Sequence, residues 1–222
     1  MSDTVARTPD IVVDVYFRVQ GSAIQVDHSY PLFSALCRLV PLLHGSQTVG
    51  VFPISGRLAP EGRLLIDQAS RLRIRLPASR ISEILPLAGS QLELMSERII
   101  VGVPQLEMLR PHARLMSRLV TISGFLEPAP FLDAARRQLN ALEIGGQAEM
   151  VRVRGDRAIE ARTARAEGSY VRRTVTIQRK VVVGYALQVE GLAEVESLRL
   201  QYAGIGGRRR FGCGLFVPQD KT

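Results

Sequence analysis

The densest chemistry in the chain lies near its C-terminus, in Gly204-Ile205-Gly206-Gly207-Arg208-Arg209-Arg210-Phe211-Gly212-Cys213-Gly214. Its glycines free the backbone for positive φ and for close approach to a ligand, and three adjacent arginines bring charge to the same place, a combination suited to phosphate. Neither Gly-x-x-x-x-Gly-Lys-Ser/Thr nor Gly-x-Gly-x-x-Gly can be laid on this spacing, which disfavours a mononucleotide or dinucleotide site. The same residues would also make a tight turn and a bulge with its arginines in water, so the loop alone leaves two readings open. For proton transfer near neutral pH the chain offers His28, His44 and His112. Cys37 and Cys213 form no CxxC pair or Cys/His cluster, so neither zinc nor a disulfide framework is suggested. No carboxylate or histidine cluster suits a two-metal site, and no metal or cofactor is expected.

The elements that must position these groups follow from periodicity. Asp10–Val19 is β-branched and partly alternating, a first strand. Ser29 to about Leu43 repeats Leu32, Leu36, Leu39 and Leu43 at helical spacing behind Pro31, with Pro41 disturbing its last turn. Val49–Ile54 and Arg71–Leu76 read as strands; in the second, Leu72, Ile74 and Leu76 share one face and Arg71, Arg73 and Arg75 the other, a half-buried strand with a basic outer side. Ser79–Leu85 is a short helix, and Leu92–Val103 a strand region with a turn at Ser96-Glu97. A looser stretch, Pro104–Ser117, marks a boundary. The order then restarts: strand Arg118–Ser123, helix Pro128–Leu142, strands Glu149–Val153, Thr174–Ile177 and Lys180–Glu190, helix Leu192–Tyr202 with Leu192, Val195, Leu198 and Tyr202 in register, and strand Phe211–Val217.

Both halves read β-α-β-β-α-β, an α+β chain of tandem ferredoxin-like (RRM-like) units with the Gly-rich loop at 204–214. The expected organisation is a flexible N-terminus at 1–9, a first unit at 10–110 and a second at 111–222. Such sheets leave one face free, but the aromatic run of base-stacking RNA modules is missing. The 222 residues are 46% hydrophobic and 23% charged, enough for a real core, which excludes disorder. The formal charge is +8 and the sequence pI near 10.3. Residues 147–222 hold 14 Lys/Arg against 8 Asp/Glu, whereas residues 1–146 hold 15 against 13. Only Lys180 and Lys221 are lysines; arginine suits RNA, although biased base composition also replaces Lys by Arg. No apolar run is long enough for a membrane span and the N-terminus has no signal-peptide order, so a soluble, cytoplasmic protein with no membrane partner is expected.

A Gly-rich loop of this form, after a helix in a chain of two ferredoxin-like units, resembles the RAMP superfamily of CRISPR-associated proteins. Within it the likeness is to the sixth Cas family, the endoribonucleases that cut CRISPR precursor transcripts, in their type I Myxan-subtype form. Val26–Leu36, Val171–Ile177 and Gly204–Gly214 carry the resemblance. It implies a nuclease that binds CRISPR repeat RNA, often a stem-loop, and cuts at a fixed site to leave a mature guide. Members need no metal: the substrate's 2′-hydroxyl is the nucleophile and the products are a 2′,3′-cyclic phosphate and a 5′-hydroxyl. That chemistry wants a proton acceptor, a proton donor and cations for the phosphorane. His44 occupies the family's usual position for the catalytic histidine, after the first helix, and is the leading candidate; capping the helix C-terminus is the alternative role there. His28 is the second candidate, Tyr30 a candidate partner, and His112 a surface residue. The lysine that some members place shortly after the histidine is missing from Ser46–Val51, so an arginine of the Gly-rich loop is a candidate cation. RNA contacts are expected from Arg172, Arg173, Arg179, Lys180, Gly206, Gly207, Arg208, Arg209 and Arg210, and from Arg157, Arg162 and Arg165 if Asp156–Ser169 is a loop ordered by RNA. Partners would be precursor and mature guide RNA and other Cas proteins of a type I effector complex. The alternative is a non-catalytic RAMP subunit that holds guide RNA in such a complex.

Overall fold

The computed structural model describes residues 10–153, 164–167 and 170–219. The flexible start expected at 1–9 lies outside the described residues, as does most of Asp156–Ser169, including Arg157 and Arg162.

The first half runs β1 (Val12–Gln20), β2 (Ala23–Gln25), α1 (Ser29–Leu39), β3 (Gly50–Val51), β4 (Arg57–Ala59), β5 (Arg63–Leu65), β6 (Arg71–Pro77), α2 (Ile81–Ile84), β7 (Gln91–Leu94) and β8 (Glu97–Met108). Its main sheet has the order β3-β6-β1-β8-β7, and β2, β5 and β4 form a small separate sheet that periodicity alone did not reveal. Alternation places Val13, Val15, Phe17 and Val19 of β1 on one face, where they share a core with Leu32 and Leu36 of α1 and with Ile84 and Leu87. Helix α1 stops before Pro41, which cannot donate to the preceding turn and drives Val40 out of the helical region to φ −130°. The expected end at Leu43 is instead a separate 3-10 turn, Pro41–Leu43.

The second half runs β9 (Arg114–Val120), α3 (Pro128–Ala141), β10 (Gln147–Met150), β11 (Ala164–Glu167), β12 (Tyr170–Ile177), β13 (Lys180–Glu190), α4 (Glu194–Ala203) and β14 (Val217–Pro218). The sheet order is β11-β12-β13-β9-β14, and β10 continues the β12 side of β13. Phe131 and Leu139 of α3, Leu200 of α4 and Tyr185, Leu187 and Val189 of β13 make a second core. Each half thus has an antiparallel sheet with its helices on one face, the tandem ferredoxin-like arrangement. Among the described residues no helix is long and apolar enough to cross a membrane.

Four expectations are corrected. Pro104–Met108 is not loose: it continues β8 opposite Val13–Phe17, leaving only residues 109–113 before β9. The last strand shrinks to Val217–Pro218, because Arg209–Phe211 turns as a 3-10 helix. Helix α4 buries Ser197, Leu200 and Gln201 and exposes Val195 and Tyr202 of the expected stripe, of which Leu192, ahead of the helix, is buried. Arg75 is not on a basic outer face: it is fully buried, since the helix-free side of the first sheet is covered there by the second half. Arg75 Nε and Nη2 each donate to Asp14 at 2.9 Å, and Nη1 donates to the carbonyls of Gln201 and Phe216 at 3.0 and 2.7 Å.

Candidate active site

Helix α1 enters the site with His28 at its N-cap position, and the ring is 2% exposed. Nδ1–H donates to the Gln25 carbonyl at 2.8 Å while Nε2 accepts the Ile54 N–H at 2.9 Å. A ring with one nitrogen donating and the other accepting is the neutral form and has no lone pair left for a substrate proton. Burial pushes its pKa down further than the Gln25 carbonyl raises it. The structure therefore gives His28 a task other than that of a base, tying the start of α1 to the segment after β3. Its neighbour Asp27 accepts the Thr176 N–H at 3.0 Å, joining the same helix start to β12. His112 is exposed, and its backbone N–H donates to Ser197 Oγ at 2.8 Å.

His44 is exposed at the end of the 3-10 turn that follows α1. Arg210, far away in sequence, donates from Nη1 to the His44 carbonyl at 2.5 Å. The approach is prepared by rings. Tyr30 and Phe33 are three residues apart on α1 and share a side; Phe211 packs edge-on to Phe33 at 5.2 Å between centroids and tilted to Tyr30 at 5.9 Å. The Arg210 guanidinium sits 5.6 Å from the rings of both Phe33 and Phe211. Tyr30 is half-buried in this contact and seats Phe211. The Cys37 thiol lies close enough for Arg210 to favour its anion, but burial outweighs that charge and raises its pKa.

Glycine shapes the loop that delivers Arg210. Gly204 and Gly214 have φ of 62° and 65°, and a Cβ on either would lie 2.2 or 2.1 Å from a carbonyl of the facing half of the loop. Gly206 N–H donates to Gln138 Oε1 at 2.6 Å and Gly207 N–H to the Thr121 carbonyl at 2.9 Å. The N–H groups of both glycines expected to touch RNA are thus spent on α3 and on the residue that follows β9. The three arginines also part company. Arg208 is exposed; Arg209 turns inward and donates from Nη1 to the Ala203 carbonyl at the end of α4. Burial, and then the charge of Arg75, lower the Arg209 pKa to about 10. Only Arg208 and Arg210 are placed to meet a polyanion.

The hairpin β12–β13 turns through Gln178 and Arg179, both with positive φ, and its tip Gln178–Val181 is exposed. Arg179 and Lys180 therefore stand in solvent, while Arg172 and Arg173 are half-buried on β12. Below the hairpin a cleft of about 110 Å³ is lined by Asp27 and Ser29 from the first half, by Arg118, Leu119, Thr174 and Val175 of the second sheet, and by Phe211 and Gly212. Arg118 keeps an open surface yet sits among so much protein that burial, and then Arg173's charge, lower its pKa. Sequence reading missed Arg118 because an arginine on an isolated strand carries no sign of what faces it. It also missed Arg80, which reaches Ser46 and Thr48 beside His44 from just ahead of α2. Among the described residues no group of three or more His, Cys, Asp or Glu is arranged to hold a metal ion.

The sequence and the fold have relatives among known proteins. The family model described as Cas6 Crispr matches residues 13–221. The CRISPR-associated endonuclease Cas6 of Myxococcus xanthus (strain DK1622) is 38% identical over 212 residues, spanning 96% of this chain and 84% of that protein. Among solved structures, a Cas6-related protein from Pyrococcus furiosus superposes with a TM-score of 0.67 at 12% identity, covering 95% of this chain and 100% of that one. A RAMP protein binding different RNA substrates gives 0.62 at 11% identity, covering 93% and 98%. These two likenesses establish the tandem ferredoxin-like fold. With the family match running nearly end to end, the chain belongs to the Cas6 family.

Proposed function

We propose that the chain is an endoribonuclease that cuts CRISPR repeat RNA by attack of the 2′-hydroxyl on the adjacent phosphate, without a metal ion. The observation that carries this reading is the Arg210 contact with His44, which sets a cation from the Gly-rich loop beside an exposed histidine at the end of the turn after α1. In this mechanism the His44 imidazole exchanges a proton with the 2′-hydroxyl or with the leaving 5′-oxygen, chemistry a neutral-pH histidine can perform in either direction. Arg210 uses one N–H on the His44 carbonyl and has others left for the oxygens of the pentavalent phosphorane, in place of the lysine that Ser46–Val51 does not supply. Tyr30 and Phe33 hold Phe211 and thereby Arg210. Arg179, Lys180 and Arg208, all exposed, hold the RNA backbone, with Arg172 and Arg173 lower on the same hairpin. On this reading the products are a 2′,3′-cyclic phosphate and a 5′-hydroxyl, and other Cas proteins of a type I effector complex would receive the bound guide.

The test is single-turnover cleavage of repeat RNA in excess chelator. Cleavage is expected for the wild type, blocked by a 2′-deoxy group at the scissile nucleotide and reduced about 100-fold or more by His44→Ala. Tight RNA binding with no cleavage would replace the enzyme with a non-catalytic RNA-holding subunit.

A further inference from the structure

The segment carrying His44 has little structure of its own. After the turn at Pro41–Leu43 its backbone–backbone ties before Val49, among the described residues, are His44 N–H to the Pro41 carbonyl and Ser46 N–H to the Leu43 carbonyl, both local to the segment. A Cβ on Gly45 would meet nothing within 4 Å, so the chain there is open on that side. A proton-transfer group on such a segment would wander unless something outside the segment fixed it.

Two arginines do so. Arg210 holds the His44 carbonyl from the Gly-rich loop. Arg80 reaches the segment from just ahead of α2: its Nη1 donates to Ser46 Oγ at 2.5 Å and reaches Thr48 Oγ1 at 3.4 Å, while the two hydroxyls lie 3.4 Å apart. The rest of the Arg80 guanidinium is engaged by Glu83, with Nε donating at 2.9 Å to Oε1 and Nη2 at 2.6 Å to Oε2. This two-point fork fixes the plane of the guanidinium, so Nη1 has one direction left, toward the His44 segment. The base of the fork is itself anchored. Ala78 N–H donates to the Ile11 carbonyl at 2.7 Å, Ser79 is held by the Asp10 carboxylate, and Ile84 and Leu87 are buried in the first core.

We propose that Arg80, aimed by Glu83, is a positioning residue that fixes the segment carrying His44 through Ser46 and Thr48, alongside the grip of Arg210 on the His44 carbonyl. The inference rests on the assignment of His44 above. Arg80 does not touch RNA in this role, because its guanidinium is divided between Glu83 and the two hydroxyls.

The experiment compares Arg80→Gln, Arg80→Lys, Glu83→Gln and the double variant Ser46→Ala/Thr48→Val in single-turnover cleavage of repeat RNA, with RNA affinity and melting temperature measured on each. Arg80→Gln and the double variant are expected to slow cleavage roughly 10- to 100-fold, the effect of ångström-scale misplacement, with affinity and melting close to wild type. Arg80→Lys, which keeps one donor for Ser46, is expected to recover part of the rate, and Glu83→Gln to fall between. Adding Arg80→Gln to His44→Ala should cause no further loss, since there is then no imidazole to position. The double variant approaches the contact from the other side, so it decides the matter even if Arg80→Gln folds poorly. Wild-type rates in the double variant overturn the proposal, as does a loss in Arg80→Gln that appears wholly in RNA affinity. If instead His44→Ala cleaves normally, the assignment of His44 fails first and the role of Arg80 falls with it.

Discussion

His28 and His44 differ in what their nitrogens face, and pH separates them. The unfolded chain protonates His28 near pH 6.5, whereas the buried ring in the folded protein resists the proton because burial lowers its pKa. Above about pH 6.5 both states are neutral at this site and its contacts contribute in full; as pH falls, the unfolded chain takes up a proton that the folded one refuses, and stability declines until the folded pKa is passed. The urea midpoint of the wild type should therefore fall more between pH 7.5 and 5.5 than that of His28→Gln. At pH 7.5, His28→Ala should cost about 1–3 kcal/mol by stranding the buried Ile54 N–H. An equal pH slope in both proteins would show that His28 is not buried neutral. The arginines of the Gly-rich loop divide in the same manner. Arg208→Gln should lower the slope of log affinity for RNA against log salt by about 0.7–0.9, one phosphate's worth of released counterions. Arg209→Gln should leave that slope alone and lower the melting temperature, because Arg209 caps α4. The run of three arginines was legible as charge, but which of them face solvent depends on the left-handed turn at Arg208 and on the position of α4.

At the scale of elements, the Gly-rich loop behaves as a fitted part. Gly214→Ala places a side chain in a left-handed conformation, which alone costs about 1–2 kcal/mol, and drives its Cβ into the Ile205 carbonyl. Gly207→Ala meets open space at a residue without positive φ and should change stability by no more than about 0.5 kcal/mol. Thermal melts of the two variants check the contrast, and comparable losses would show that the loop is not fixed by its backbone packing. How well the sequence spoke for each element follows from where that element's information sits. The strand Lys180–Glu190 was readable to the residue because its β-branched run is local, and α3 to within one residue because its apolar stripe faces a single sheet. Strand β6 was located correctly, but its outer side was misread, since periodicity tells which residues share a face and not what covers that face. The register of α4 failed for the same reason: it buries Ser197 and Gln201 as hydrogen-bonding groups, with Gln201 Nε2 donating to the Arg110 carbonyl, so hydrophobicity pointed to the wrong side. Arg210 was legible as a candidate cation, whereas its arrival at His44 is a property of the whole fold.

For the whole molecule, the proposed site requires that the two halves keep their register, because His44 belongs to one and Arg210 to the other. Arg75 is the residue that fixes this most directly. In the first sheet Asp14 and Arg75 are directly opposed on β1 and β6, which sets their fork, and Arg75 then crosses to the carbonyls of Gln201 and Phe216 at the two ends of the segment that contains the Gly-rich loop. Burial by itself would raise the Asp14 pKa, but the hydrogen bonds and charges of Arg75 and Arg73 hold it below its ordinary value. This pair therefore stabilises the fold at all pH values above about 4 and loses that contribution only in acid, well separated from the His28 window. Arg75→Ala leaves a buried carboxylate without its main partner and takes the Arg75 donor from two carbonyls, a loss of about 3–5 kcal/mol for a broken buried pair. Removing both charges with Asp14→Asn/Arg75→Met should cost less than the sum of the single variants, because the stranded carboxylate is gone. The carbonyls of Gln201 and Phe216 still lose their Arg75 donor in the double variant, however, so it should cleave repeat RNA more slowly than wild type even at temperatures where it is fully folded. Denaturation and single-turnover cleavage measured on the same preparations separate these effects: full cleavage in a folded double variant would mean that contacts elsewhere, such as Asp27 with Thr176, suffice to hold Arg210 on His44.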